Sequence, residues 1–153
     1  MKWQDTADMP CPVARTLSVM GDRWTFLVIR NAFMGMRRFE AFQQSLGLTR
    51  HVLAGRLGRL VEQGILSRQP YQQRPLRHEY RLTDKGKDLY PVLLSLSSWG
   101  DRWMGQGETT AFRLQHASCG HNFSPVMCCS ECGEALRPRE VQIMTGAEPQ
   151  LVG

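Results

Sequence analysis

The stretch from Arg37 to Gly86, RRFEAFQQSLGLTRHVLAGRLGRLVEQGILSRQPYQQRPLRHEYRLTDKG, constrains this chain more than any other. Phe39, Phe42 and Leu46 repeat at the spacing of a short helix, which Gly47 closes. Thr49 is a capping side chain for a second helix, which carries Leu53, Leu57, Leu60 and Val61 as far as Gly64. Ile65, Leu66 and Tyr71 lead into a turn, and His78-Glu79-Tyr80-Arg81-Leu82 alternates as a half-exposed strand leading out of it. Two helices about a tight turn, followed by a two-stranded Pro-containing tip, make a helix-turn-helix with a wing. That shape lays its second helix in the major groove of duplex DNA.

Charge points the same way. Between Arg23 and Lys87 there are thirteen Arg and Lys residues against only Glu40, Glu62, Glu79 and Asp84, so the net charge of +5 is concentrated in the segment that would face phosphates. On the second helix Leu53, Leu57 and Leu60 fall on one side, and His51, Ala54, Gly55, Gly58, Arg59 and Glu62 on the other. Thr49, Arg50 and His51 occupy the first turn, the part that reaches base edges. Arg50 suits bidentate pairing with guanine, and Ala54 leaves room for close approach to the groove floor. Arg56 and Arg59, one turn deeper, are expected on phosphate, as are Arg37 and Arg38 at the start of the preceding helix. Arg74 and Arg77 put two guanidinium groups at the wing tip, on backbone or minor groove.

The rest of the chain is organised around this core. Leu17, Met20, Trp24, Leu27, Val28 and Phe33 predict two helices broken near Gly21. Thr83 is expected to cap one long last helix through Leu89, Val92, Leu93, Leu96, Trp99 and Trp103. The expected fold class is mainly α with a small β wing (α+β), a winged helix-turn-helix domain over 10–104 plus a short C-terminal Cys/His ribbon. Residues 105–111 read as a linker, 112–143 as the zinc-ribbon-like segment and 144–153 as a disordered tail. The recurrence of Gly-Asp-Arg-Trp at 21–24 and 100–103 has no similarity in its flanks and is treated as chance. No apolar run approaches the roughly 18 residues of a membrane span, and the N-terminal stretch lacks the apolar core of a signal peptide. A cytoplasmic location is expected.

The strings CPVARTLSVMGDRW, RRFEAFQQSLG, LTRHVLAGRLGRLVEQGIL and YQQRPLRHEYRLTDKG, in this order from Cys11 to about Trp103, resemble the HxlR family of bacterial winged-helix regulators (MarR-like). The resemblance implies control of transcription without catalysis, and a homodimer pairing through the first and last helices of the winged domain. It also implies two recognition helices (Thr49–Gln63), each with its wing (Tyr71–Tyr80), on a palindromic double-stranded DNA site. A repressor covering its promoter is one form of this. Family members usually place polar residues near Gly55 and Gly58, and the two glycines depart from that pattern. In some such proteins a cysteine at the position of Cys11 senses oxidants or electrophiles through a mixed or inter-subunit disulfide. Pro12 is placed to open a helix directly after Cys11. The competing assignment for Cys11 is a small apolar residue within the dimer contact. Trp24, Trp99 and Trp103 offer a place for a small-molecule or electrophile effector, the competing assignment being core side chains at helical spacing.

Four of the five cysteines crowd into the C-terminal segment. His116-Ala-Ser-Cys119-Gly120 and Cys129-Ser-Glu-Cys132-Gly133 each carry two soft donors separated by two residues and followed by Gly, the form of a zinc knuckle. His116, Cys119, Cys129 and Cys132 together make a Cys3His set for one structural zinc. His121 and Cys128 are alternative donors, and a disulfide or a metal-free vestige is the competing reading. A thiol redox enzyme would need a thioredoxin-like βαβ pattern beside its CxxC, and no such pattern is present. A winged helix used only for protein contact would not need a concentrated basic face.

Overall fold

The computed structural model describes residues 6–105, 114–145 and 148–151. They form two compact units, divided between Leu93 and Leu94. The first unit contains α1 (Pro12–Met20), α2 (Arg23–Phe33), α3 (Phe39–Leu46), α4 (Arg50–Glu62), β1 (Leu66–Gln73), β2 (Leu76–Leu82) and α5 (Asp84–Lys87). α6 (Tyr90–Met104) begins in the first unit and continues into the second, where β3 (Gln142–Thr145) and β4 (Glu148–Leu151) form a hairpin. The first unit is the α+β winged helix-turn-helix predicted from the sequence.

Local chemistry sets the element ends. Pro12 occupies the first turn of α1, where its missing N–H costs nothing. Asp22 caps α2, its Oδ1 accepting from the amides of Trp24 at 3.0 Å and Thr25 at 3.2 Å. α3 ends at Gly47 with φ of 62°, and the turn after α4 passes through Gly64 at 67°, both in the left-handed region. Val28, Ile29, Phe42, Leu53, Leu57 and Leu60 are completely buried and join α2, α3 and α4 around one core. Each such side chain contributes roughly 1.5–3 kcal/mol by burial. Asn31 is also fully buried, and its amide is satisfied by donating to Ser45 Oγ at 3.0 Å and accepting from Arg30 at 2.9 and 3.1 Å.

Two expectations about the C-terminal half are corrected. Thr83 does cap a helix, accepting from the Gly86 amide at 3.1 Å, but that helix is the four-residue α5. The chain then turns at Asp88–Leu89 before α6 begins. Pro91 explains the break: a continuous helix would place its ring against the Lys87 carbonyl and leave that carbonyl without a donor. The segment expected to be a disordered tail from residue 144 instead pairs Gln142 with Leu151, Ile143 with Gln150, Met144 with Pro149 and Thr145 with Glu148. Of the expected linker, only residue 105 lies within the described residues.

Candidate nucleic-acid interface

The helix-turn-helix is α3, the turn through Gly47 and Leu48, and α4. Thr49 caps α4 by accepting from the Val52 amide at 3.4 Å, so Arg50 and His51 open the helix and both are exposed. Behind them Ala54, Gly55, Gly58 and Glu62 continue the exposed stripe, opposite the buried Leu53, Leu57 and Leu60. A Cβ added at Gly55 or Gly58 would meet nothing within 4 Å. The outer face of α4 is therefore nearly bare backbone, a surface able to lie close to a groove floor.

The wing is joined to this unit by more than its own turn. β1 and β2 pair antiparallel, with a bulge that leaves Tyr71 opposite no residue between the pairs Pro70–His78 and Gln72–Arg77. The Tyr80 amide donates to the Arg37 carbonyl at 2.7 Å, and Arg38 bridges Glu79, so the residues entering α3 extend the wing sheet. The Arg38 guanidinium lies 4.8 Å from the Tyr71 ring centre, and Arg50 lies 5.1 Å from that of Phe39. Both charges are held over aromatic faces while staying open to solvent.

Between the start of α4 and the wing is a cleft of about 360 Å³. Arg50 from α4, Arg68 from β1, and Arg77 and His78 from β2 line it beside Phe39, Tyr71 and Tyr80, with Glu40 the single carboxylate. Arg68 and His78 are also in contact, Nη2 to Nδ1 at 3.0 Å. Arg37, Arg74 and Arg77 are exposed. Arg68 and Tyr71 were not among the site residues inferred from sequence. Their only signal there was position on the strand entering the wing, which does not say which residues a bulge will turn toward α3.

Arg56 and Arg59, expected on phosphate, each have an intramolecular partner. Neither guanidinium is free on the outer face of α4. Arg56 Nε donates to Asp22 Oδ1 at 3.0 Å, and Arg59 donates to the Ser18 carbonyl. Both fasten α4 to the junction of α1 and α2. Burial raises the pKa of Asp22. Hydrogen bonds from Thr25 and Arg56, the Arg56 charge and the Trp24 amide outweigh it, and the carboxyl is held below its ordinary value.

The profile of the HxlR-like helix-turn-helix family matches residues 19–108, more than half of the chain. The chain belongs to this family. It is a transcriptional regulator whose DNA-binding domain is the helix-turn-helix just described. An uncharacterized HTH-type transcriptional regulator of Mycobacterium tuberculosis is 43% identical over 129 residues, covering 84% of this chain and 82% of its own length. The crystal structure of PA1607, a candidate transcription factor, superimposes with a TM-score of 0.83 at 35% identity, over 93% of this chain and 99% of that one. The redox regulator HypR in its oxidized form superimposes with a TM-score of 0.56 at 34% identity, over 60% of this chain and 96% of that one. The similarity to HypR thus spans about three fifths of this HxlR-like chain, and that to PA1607 runs through nearly the whole length. Its relatives are HTH-type transcriptional regulators.

The remaining residues inferred from sequence lie elsewhere. Cys11 occupies the N-cap position of α1, partly exposed and unpaired with another cysteine. His116, Cys119, Cys129 and Cys132 are in the second unit. His116 Nδ1 lies 3.3 Å from Cys119 Sγ, and the Cys129 sulfur accepts from the Cys132 and Glu131 amides and the Cys132 thiol. Among the described residues no three His, Cys, Asp or Glu side chains stand together as a metal site. No described helix is long and apolar enough to cross a membrane.

Proposed function

We propose that this regulator works as a homodimer on two-fold symmetric promoter sites, each α4 entering a major groove and each wing lying on the adjacent backbone or minor groove. The observation that carries the reading is the convergence of Arg50, Arg68 and Arg77 from three elements on one cleft beside the bare face of α4. Arg50 reads guanine, His51 and Ala54 follow along the groove, and Thr49 holds the helix start. Arg37, Arg38, Arg74 and Arg77 neutralise phosphates. Dimerisation is supported by the apolar side chains that α1 and α6 leave in solvent, among them Val13, Leu96, Trp99 and Trp103 at 66%, 49%, 58% and 69% exposure.

Selection of bound fragments from genomic DNA, followed by a salt titration on the best fragment, tests this. Half-sites about one helical turn apart are expected, with affinity falling steeply as salt rises. Sequence-blind binding by a monomer refutes it. Cys11 supplies the response. A thiol oxidant takes two electrons, the two Cys11 thiols of a dimer lose their protons, and an inter-subunit disulfide forms. Its position at the start of a pairing helix supports this, as does the similarity to the HypR fold. Oxidant-dependent release of DNA is expected to disappear in Cys11→Ser, and unchanged release in that variant removes the role.

A further inference from the structure

The second unit contains the same turn twice. In the first copy the His116 amide donates to the His121 carbonyl at 2.9 Å, the Gly120 amide to the His116 carbonyl at 2.8 Å, and the Phe123 amide to the Leu114 carbonyl at 3.1 Å. In the second the Cys129 amide donates to the Glu134 carbonyl at 2.9 Å, the Gly133 amide to the Cys129 carbonyl at 2.9 Å, and the Leu136 amide to the Met127 carbonyl at 2.8 Å. The offsets are identical bond for bond. Gly120 and Gly133 close the two turns with φ of 69° and 75°, the left-handed geometry that a residue with a Cβ rarely takes. Soft donors stand at the first and fourth positions of each copy, His116 with Cys119 and Cys129 with Cys132.

Beyond these backbone bonds, the described residues of the segment build no buried core. None of residues 114–144 is buried, the larger apolar side chains Phe123, Val126, Met127 and Leu136 are all exposed, and every cysteine is a free thiol. A stretch this short without a core needs a staple. Within the first turn the two donors have the spacing of half a staple, although among the described residues no three donors stand together. His116 Nδ1 and Cys119 Sγ are 3.3 Å apart, close to the edge of about 3.6 Å that zinc–nitrogen and zinc–sulfur bonds subtend in a tetrahedron. Cys128, by contrast, is paired through its backbone with Ala135 on the strand before the turn, outside the repeated donor positions.

We propose that residues 114–136 form a structural metal ribbon, in which His116, Cys119, Cys129 and Cys132 share one thiophilic divalent cation of the zinc class. Each turn supplies half of a tetrahedron, and the ion joins the halves. With four protein donors no position is left for water, so the site organises the segment and carries out no reaction. This assignment is independent of how the winged unit meets DNA.

The test uses the full chain, freed of any affinity tag and kept reduced. Reconstitution with zinc should leave one equivalent per chain by elemental analysis. Substitution by cobalt should give the intense visible bands of a sulfur-rich tetrahedral ion. Of the five thiols, Cys119, Cys129 and Cys132 should be protected from a thiol reagent by zinc, while Cys11 and Cys128 stay reactive. Cys119→Ser and Cys132→Ser should each lose most of the bound metal, whereas Cys128→Ser and His121→Ala should retain it. Pale octahedral cobalt overturns the proposal, as do five reactive thiols in the presence of zinc, or metal content unchanged by Cys119→Ser and Cys132→Ser.

Discussion

Replacing Arg56 by Gln separates a structural arginine from one that touches DNA. Its Nε lies 3.0 Å from Asp22 Oδ1, with the two side chains 33% and 23% exposed. That places the pair between a solvated ion pair, worth about 0–1 kcal/mol, and a buried charge-assisted bond, worth about 1.5–3 kcal/mol. Asp22 keeps its bonds from the Trp24 and Thr25 amides in the variant, so its carboxylate is not orphaned. The expected loss is about 1 kcal/mol, seen as a Tm lower by about 4–8 °C in a domain of this size. A phosphate contact would behave differently. Removing one from each subunit of a dimer would reduce the slope of log K against log salt by about 1.8. For Arg56→Gln we expect the fall in Tm with the slope unchanged, read by thermal denaturation and by DNA titrations at several salt concentrations. Arg74→Gln, at the exposed wing tip, should give the opposite pair of results. An Arg56→Gln protein with unchanged Tm and a shallower slope would refute the intramolecular role.

Because the folded-state pKa of Asp22 is depressed, its contribution to stability is complete above its unfolded pKa and is lost as pH falls through the folded value. The stability gap between wild type and Asp22→Asn should therefore close as urea melts are taken to progressively lower pH. Gly86→Ala should be severely destabilising, since its Cβ would sit 2.2 Å from the Ile65 carbonyl oxygen; recovery of soluble folded protein with near wild-type Tm would contradict this. Gly58→Ala, with open space around the new methyl, should raise stability by up to about 1 kcal/mol and, in a DNA titration, weaken binding only if the bare face lies against the groove floor. Leu57→Ala should cost about 2–5 kcal/mol in a denaturant melt, because this side chain is wholly buried between α4 and its neighbours.

Much of the winged unit was legible because its signals are local. Gly47, Thr49 and Gly64 each mark a helix end through their own backbone preference or side-chain reach, and the spacing of Leu53, Leu57 and Leu60 identifies the inner face of α4 within a single helix. Pairings across the chain were not legible. Asp22 meets Arg56 and Ser18 meets Arg59 only after α1, α2 and α4 have packed, and an arginine one turn into a recognition helix looks the same in sequence whichever way it points. The break before α6 could have been read from Pro91, but the surrounding apolar periodicity masks a single breaker. β4 lay in a stretch whose composition suggested a tail, and pairing with Gln142–Thr145 overrides that weak local preference. The repeated Cys/His turns were recognisable from spacing alone, while their matching hydrogen bonds required coordinates.

The contacts from Asp22 to Arg56 and from Ser18 to Arg59 act as two rivets along the inner flank of α4. Through these contacts α4 is fastened to the junction of α1 and α2 at two points along its length. In the dimer proposed above, the adjustable quantity would be the pitch between the two reading heads. A signal received at α1 would then work like a change in gear spacing under that proposal: the teeth would keep their shape, and the pair would either mesh with its half-sites or not.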